Sequence, residues 1–224
     1  MTTRARAQYA PPPPIVLAPP PPPELPAPEY ARRPFELSAE LLLALPSCAD
    51  GSTSSERCDG IAAGPGGGGT FLWRPNPYFA LGGTLDAVGF AFHPAQSAGL
   101  SQTHASGRFY GLLTRLYFFD HGVVEPYLEL GIGSGGITTS AREADTAYDE
   151  SSSGLALRTG GGLEFYLGRH VRLGPAFDWT TFRVQHVQRC GGSRCIDLAE
   201  GDYGHGTGFT SFSVRLSVLL GEGL

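Results

Sequence analysis

Residues 154–181, GLALRTGGGLEFYLGRHVRLGPAFDWTT, alternate apolar and polar side chains through two long segments separated by a very short break. Leu155, Leu157, Leu163, Phe165 and Leu167 share one face of an extended chain. Arg158, Gly160, Gly162, Glu164 and Tyr166 share the other, a period of two that marks a strand. After Gly168 and Arg169 the pattern resumes, with Val171, Leu173, Phe177 and Trp179 set against Arg172, Gly174, Asp178 and Thr180. Both segments exceed the about five to six residues usual in a soluble strand. Their polar face mixes both signs of charge with glycine, as a crowded interior would. A strand that crosses lipid needs about 9 to 11 residues, apolar towards the lipid and polar towards a lumen. The hairpin therefore predicts a transmembrane barrel.

The same alternation recurs along most of the chain. In 35–45, Phe35, Leu37, Ala39, Leu41, Leu43 and Leu45 alternate with Glu36, Ser38, Glu40, Leu42 and Ala44. Leucine, alanine and glutamate favour helices, but strict alternation decides for strand. Residues 61–73 are glycine-rich and form the weakest candidate strand. Arg74-Pro75-Asn76-Pro77 is a turn by composition. A strand from Tyr78 to about Phe92 follows, and then strands over 108–119, 124–132 and 209–220. With 61–73 counted there are eight strands, closed by the hairpin above. Long polar loops (46–60, 93–107, 138–153, 187–206) then alternate with short turns (74–77, 120–122, 168–170). Even strand number and alternating long and short connections are the rules of outer-membrane barrels. Without 61–73 both rules would fail.

This pattern resembles the small eight-stranded outer-membrane proteins of Gram-negative bacteria, the OmpA-like and OmpW-like barrels, over residues 35–220. The resemblance implies an all-β, closed, antiparallel, up-and-down barrel of eight strands over 35–224. Its partners would be outer-membrane lipid and the barrel assembly machinery, and it would be a monomer. Long loops would be extracellular and short turns periplasmic. Barrels of this kind end on an aromatic residue, whereas this chain ends Gly221-Glu222-Gly223-Leu224. Aromatics gather beside the short turns: Phe71, Trp73, Tyr78 and Phe79 at the first, Tyr117, Phe118 and Phe119 at the second, Phe165 and Tyr166 at the third. They read as a periplasmic aromatic girdle.

Residues 1–34 are organised differently. The runs 11–14 and 19–23 are all proline, which favours extended polyproline II and builds no core. A disordered periplasmic tail is expected, a spacer or a ligand for a periplasmic partner. Ala5-Arg6-Ala7 before Gln8 has the A-x-A form of a signal-peptide cleavage end, a remnant of a longer signal. The net charge of -5, with sixteen arginines and no lysine, offers no basic patch for nucleic acid.

On this register the inward set is Glu36, Glu40, Asp86, Arg115, Glu125, Glu129, Arg158, Glu164, Arg172, Asp178 and Arg215. In a lumen as narrow as eight strands enclose, such charges pair with each other, because lone buried charges are costly. The expectation is an ion-paired, mostly filled lumen whose acidic excess favours cations in any residual conductance. Cys48 with Cys58, and Cys190 with Cys195, suit two loop-stapling disulfides in an oxidising compartment, and a bond joining the two loops is the alternative. Cys190 and Cys195 with His186 or His205 do not match a recognised zinc spacing. No cofactor site and no catalytic set emerges. His104-Ala105-Ser106 has an H-x-S spacing that looks like the lipid A deacylase barrels, but in a loop and without a fixed acid.

Three functions follow. The first is an outer-membrane barrel with a structural or surface-interaction role. The second is a narrow cation-preferring pore or carrier of a small hydrophobic ligand. The third is a soluble lipocalin-like protein, in which leucine and phenylalanine would pack inside and the charges outside.

Overall fold

The computed structural model describes residues 33–48, 61–92, 100–119, 123–143, 146–191, 194–198 and 207–221. The proline-rich segment 1–32, Cys58, His205 and the turn at 120–122 lie outside them. Among the described residues there are ten strands: β1 (Phe35–Cys48), β2 (Ile61–Ala62), β3 (Gly64–Asn76), β4 (Phe79–Phe92), β5 (Leu100–Tyr117), β6 (Val124–Glu143), β7 (Thr146–Tyr166), β8 (Val171–Gly191), β9 (Arg194–Leu198) and β10 (Thr207–Leu220). Eight of them close a barrel in the order β1-β3-β4-β5-β6-β7-β8-β10, with β10 returning to β1. Every neighbouring pair is antiparallel. β2 adds two residues beside β4, and β9 folds back on the end of β8.

The glycine-rich segment is a full barrel strand, β3, bonded to β1 through Phe35↔Trp73 and to β4 through Gly66↔Val88. It runs on to Asn76, past the expected start of the turn, with a bulge between Trp73 and Asn76, so the reversal falls at Pro77 and Tyr78.

Alternation survives in three dimensions as a sorting of faces. Leu37, Leu41, Leu85, Leu112, Leu130, Phe177, Phe212 and Val214 point outward and are exposed, Leu41 to 78%. Glu36, Arg115, Arg158, Glu164, Arg172 and Arg215 point inward and are buried. That is the reverse of the soluble arrangement. An apolar exterior of this extent has lipid as its natural solvent.

The loops differ most from the sequence-based reading. Expected loop 138–153 is instead the tip of a β6–β7 ladder that pairs as far as Glu143↔Thr146. Its serines and threonines bond across it: Thr138 Oγ1 donates to Ser151 Oγ at 3.3 Å, and Ser152 Oγ donates to the Ile137 carbonyl at 3.2 Å. Expected loop 93–107 gives up its second half to β5, which begins at Leu100. Within 187–206, β8 and β9 form a hairpin across Cys190↔Cys195. Backbone pairing continues wherever a neighbouring strand continues, whether or not the side chains alternate in polarity. As a result β5–β8 are 18 to 21 residues long, against 13 to 14 for β10, β1, β3 and β4. At about 3.3 Å per residue, the strands on that side are about 20 Å longer.

Candidate functional site

Every barrel strand contributes a charge to the lumen. β1 supplies Glu36 and Glu40, β3 Arg74, β4 Asp86, β5 Arg115, β6 Glu125 and Glu129, β7 Arg158 and Glu164, β8 Arg172 and Asp178, and β10 Arg215, all buried. Eleven of these twelve stand at positions read as inward in the sequence. Arg74 is the addition, and because it lies in the Arg-Pro-Asn-Pro stretch its turn-like neighbours hide it. It shares parity with inward-facing Thr70 and Leu72, which is the signal that finds it.

The charges form two tiers. Nearer the short turns, Arg115 reaches Glu36 at 2.5 Å and Glu164 at 3.5 Å, while Arg172 pairs with Glu36, with Glu125 and, at 2.7 Å, with Glu164. Arg74 reaches Glu125 at 2.8 Å. Hydroxyls complete the tier: Tyr117 donates to Glu36 at 2.7 Å and Ser217 to Glu164 at 2.9 Å. Three arginines meet three carboxylates here.

One tier higher, Arg158 touches four carboxylates: Asp178 at 2.9 Å, Glu129 at 3.1 Å, Glu40 at 3.4 Å, and Asp86. Arg215 binds Glu40 at 2.9 Å and Glu129 at 3.0 Å, and donates to the Tyr127 hydroxyl at 2.6 Å. Arg115 joins the tiers through Glu129 at 3.1 Å. Guanidiniums suit this work, since each presents five donors in a rigid fork and stays charged when buried.

Towards the long-connection side the lumen changes character. Leu42, Val88, Phe90, Phe109, Ile137, Phe182 and Phe209 pack into one buried apolar cluster, with Phe90 edge-on to Phe209 at 6.3 Å between ring centres. Sequence reasoning takes the interior as charged throughout and misses this cap. Its signal is large apolar residues continuing the inward parity of Asp86 to Phe90, or Thr180 to Phe182.

No family model and no curated relative matches the chain. Solved structures do. Neisserial surface protein A superposes with a TM-score of 0.56 at 16% identity, over 83% of this chain and 97% of its own. A major outer membrane protein from Thermus thermophilus gives 0.53 at 12% identity, over 82% and 98%. Ail, the attachment invasion locus protein of Yersinia pestis, gives 0.50 at 12% identity, over 84% and 99%. This chain has the fold of the small outer-membrane barrels.

In this barrel the remaining sequence candidates fall as follows. Phe71, Trp73, Tyr78, Phe118, Phe119 and Phe165 are exposed at the short-turn end, with Phe79 half-buried beside them. Tyr117 and Tyr166 do not belong to that girdle. Both sit on the inward parity, and the Tyr166 hydroxyl donates to Glu125 at 3.3 Å, because a phenol next to buried carboxylates has a partner inside that lipid cannot offer. Cys190 and Cys195 are joined in a disulfide across the β8–β9 hairpin. Their sulfurs are thereby closed to a metal, and His186 lies 3.4 Å from Asp197 instead. The pairing of Cys48 falls with Cys58 outside the described residues. His104 and Ser106 lie within β5, not in a loop, on its outer face and away from the lumen.

Proposed function

We propose that this chain is an integral barrel of the bacterial outer membrane with a closed lumen and a structural or surface-interaction role, rather than a wide pore or an enzyme. The observation that carries this reading is the pairing of an exposed leucine and phenylalanine exterior with a lumen filled by five ion-paired arginines, seven carboxylates and an aromatic cap. The outer-membrane fold shared with the three proteins above supports the location.

In this reading the short turns, together with the Phe35 and Leu220 ends of β1 and β10, face the periplasm. The proline-rich tail hangs there, available to a periplasmic partner, and the β6–β7 and β8–β9 hairpins face outward. The barrel works as a monomer in contact with lipid and is inserted by the assembly machinery. Its disulfide suits the oxidising periplasm through which the chain passes.

The test is fractionation combined with planar-bilayer recording. The mature protein is expected to stay with outer membranes, to migrate differently in gels before and after boiling, and to give no large steady conductance. A freely soluble protein, or an open pore, would overturn the reading. A second reading, a narrow cation-preferring path, draws on the excess of carboxylates over guanidiniums and would show as small cation-selective events in the same recordings.

A further inference from the structure

The upper tier of charges is not balanced. Glu40, Asp86, Glu129 and Asp178 surround Arg158 and Arg215, with Arg115 of the lower tier also reaching Glu129, whereas the lower tier has three carboxylates for its three guanidiniums. Two surplus negative charges inside a narrow lumen would be costly.

The surplus carboxylates are arranged in a particular way. Glu40 on β1, Gly68 on β3 and Asp86 on β4 are register partners in one row. Glu129 on β6, Gly160 on β7 and Asp178 on β8 form a second row of the same design. Residues two strands apart are about 9.5 Å from each other and ordinarily have a side chain between them. Here the middle residue is glycine. A Cβ on Gly68 would overlap Asp86 Oδ1 and stand 2.9 Å from Glu40 Oε1, and a Cβ on Gly160 would overlap Asp178 Oδ1. The Gly68 gap is thus filled by carboxyl oxygens closing from both flanking strands, and the Gly160 gap by a carboxyl oxygen from β8.

No protein donor bonds to Asp86 Oδ1, to either oxygen of Asp178 or to Glu129 Oε1, although all three residues are buried. Arg158 and Arg215 approach these groups as charges but leave those lone pairs without a hydrogen, and a buried acceptor left so is destabilising.

We propose that each of these two acid pairs, Glu40 with Asp86 and Glu129 with Asp178, is a proton-binding site that holds one shared proton across its glycine. One proton in each pair turns four negative charges into two, matching Arg158 and Arg215. The whole lumen then carries no net charge, and each proton supplies the missing donor between two oxygens. This goes beyond a closed barrel. It assigns two protons to named groups and removes the excess that a cation path would use.

Infrared spectroscopy of the folded full-length barrel, with amide variants, tests the proposal. The wild type is expected to show the carbonyl stretch of a protonated carboxyl at neutral pH, shifted on exchange into deuterated water. Asp86→Asn and Asp178→Asn should each remove about half of that band, since each abolishes one of two shared protons. An asparagine is nearly isosteric and brings its own donor, so both variants should keep the unfolding midpoint of the wild type. Glu36→Gln and Glu164→Gln, in the balanced tier, should leave the band intact and lower the midpoint sharply. The proposal is overturned if no such band exists, if Asp86→Asn destabilises as much as Glu36→Gln, or if stripping divalent cations from the wild type collapses its stability, which would make a metal ion the neutralising partner.

Discussion

At the height of Leu41, Leu112 and Leu130 the barrel is apolar outside and charged inside; at the height of Phe90, Phe109 and Phe182 the two faces have exchanged roles. In the lower belt the exterior is leucine and phenylalanine, and the lumen holds the arginine network. In the upper rim the exposed outer face carries His104, Arg108, Arg183, Gln185 and His186, while the inside is an aromatic core. The backbone hardly distinguishes the two regions, since β8 runs unbroken from Val171 through both. The difference teaches that one ladder serves two solvents. The belt is built as an inverted protein for lipid, and the rim as an ordinary soluble sheet with an apolar core.

This contrast can be broken at defined places. Arg172→Met leaves Glu36, Glu125 and Glu164 short of their shared cation inside the belt, and is expected to cost about 3–5 kcal/mol of unfolding free energy. Urea titration of the folded barrel in lipid vesicles, followed by tryptophan fluorescence, measures it. A loss under about 1 kcal/mol would mean that the belt does not depend on its charges. Next in size, Leu130→Arg places a guanidinium on the belt exterior and is expected to cost about 2–4 kcal/mol in the same titration if that residue lies at lipid mid-depth.

The matching change at the rim runs the other way. Arg183→Leu is expected to shift stability by less than about 0.5 kcal/mol, because that surface already meets water. Equal costs for Leu130→Arg and Arg183→Leu would erase the boundary between the regions. Smallest of all, Cys190→Ser with Cys195→Ser frees only the β8–β9 hairpin tip. Faster proteolysis within 187–198 on intact cells is expected, with an unchanged barrel midpoint.

The same boundary decides what the sequence can tell. In the belt, chain parity alone separates Glu36 and Glu40 from Leu37 and Leu41, because lipid keeps charge off one face and the narrow lumen collects it on the other. Eight strands and their antiparallel closure follow from that rule, even for glycine-rich β3. At the rim, water accepts almost anything outside, so Ser151, Ser152 and Ser153 look like a loop while they continue a ladder. β8 adds a register shift opposite Ser153 and Gly154, after which Val187, rather than His186, turns inward. Parity counted from Arg172 therefore fails there. Tyr117 and Tyr166 mislead for a different reason. Their residue type suggests the girdle, while their position in the alternation places them inside.

The register of the seam between the first and last strands has a consequence for how the chain is made. Glu40 lies directly across from Arg215, and Ser38 from Ser217, so part of the upper charge tier joins residues 175 positions apart in the chain. Arg215 meets that partner only when β10, the last strand in the chain, reaches β1. Until then the nascent sheet is a curved ribbon whose first strand carries a carboxylate still wanting its counterion, and the ribbon has an electrostatic reason, beyond its open backbone edge, to come round and shut. Contacts so distant in sequence form late and slowly. Closure is therefore the step at which Glu40 gains Arg215 and the finished wall is distinguished from every incomplete one.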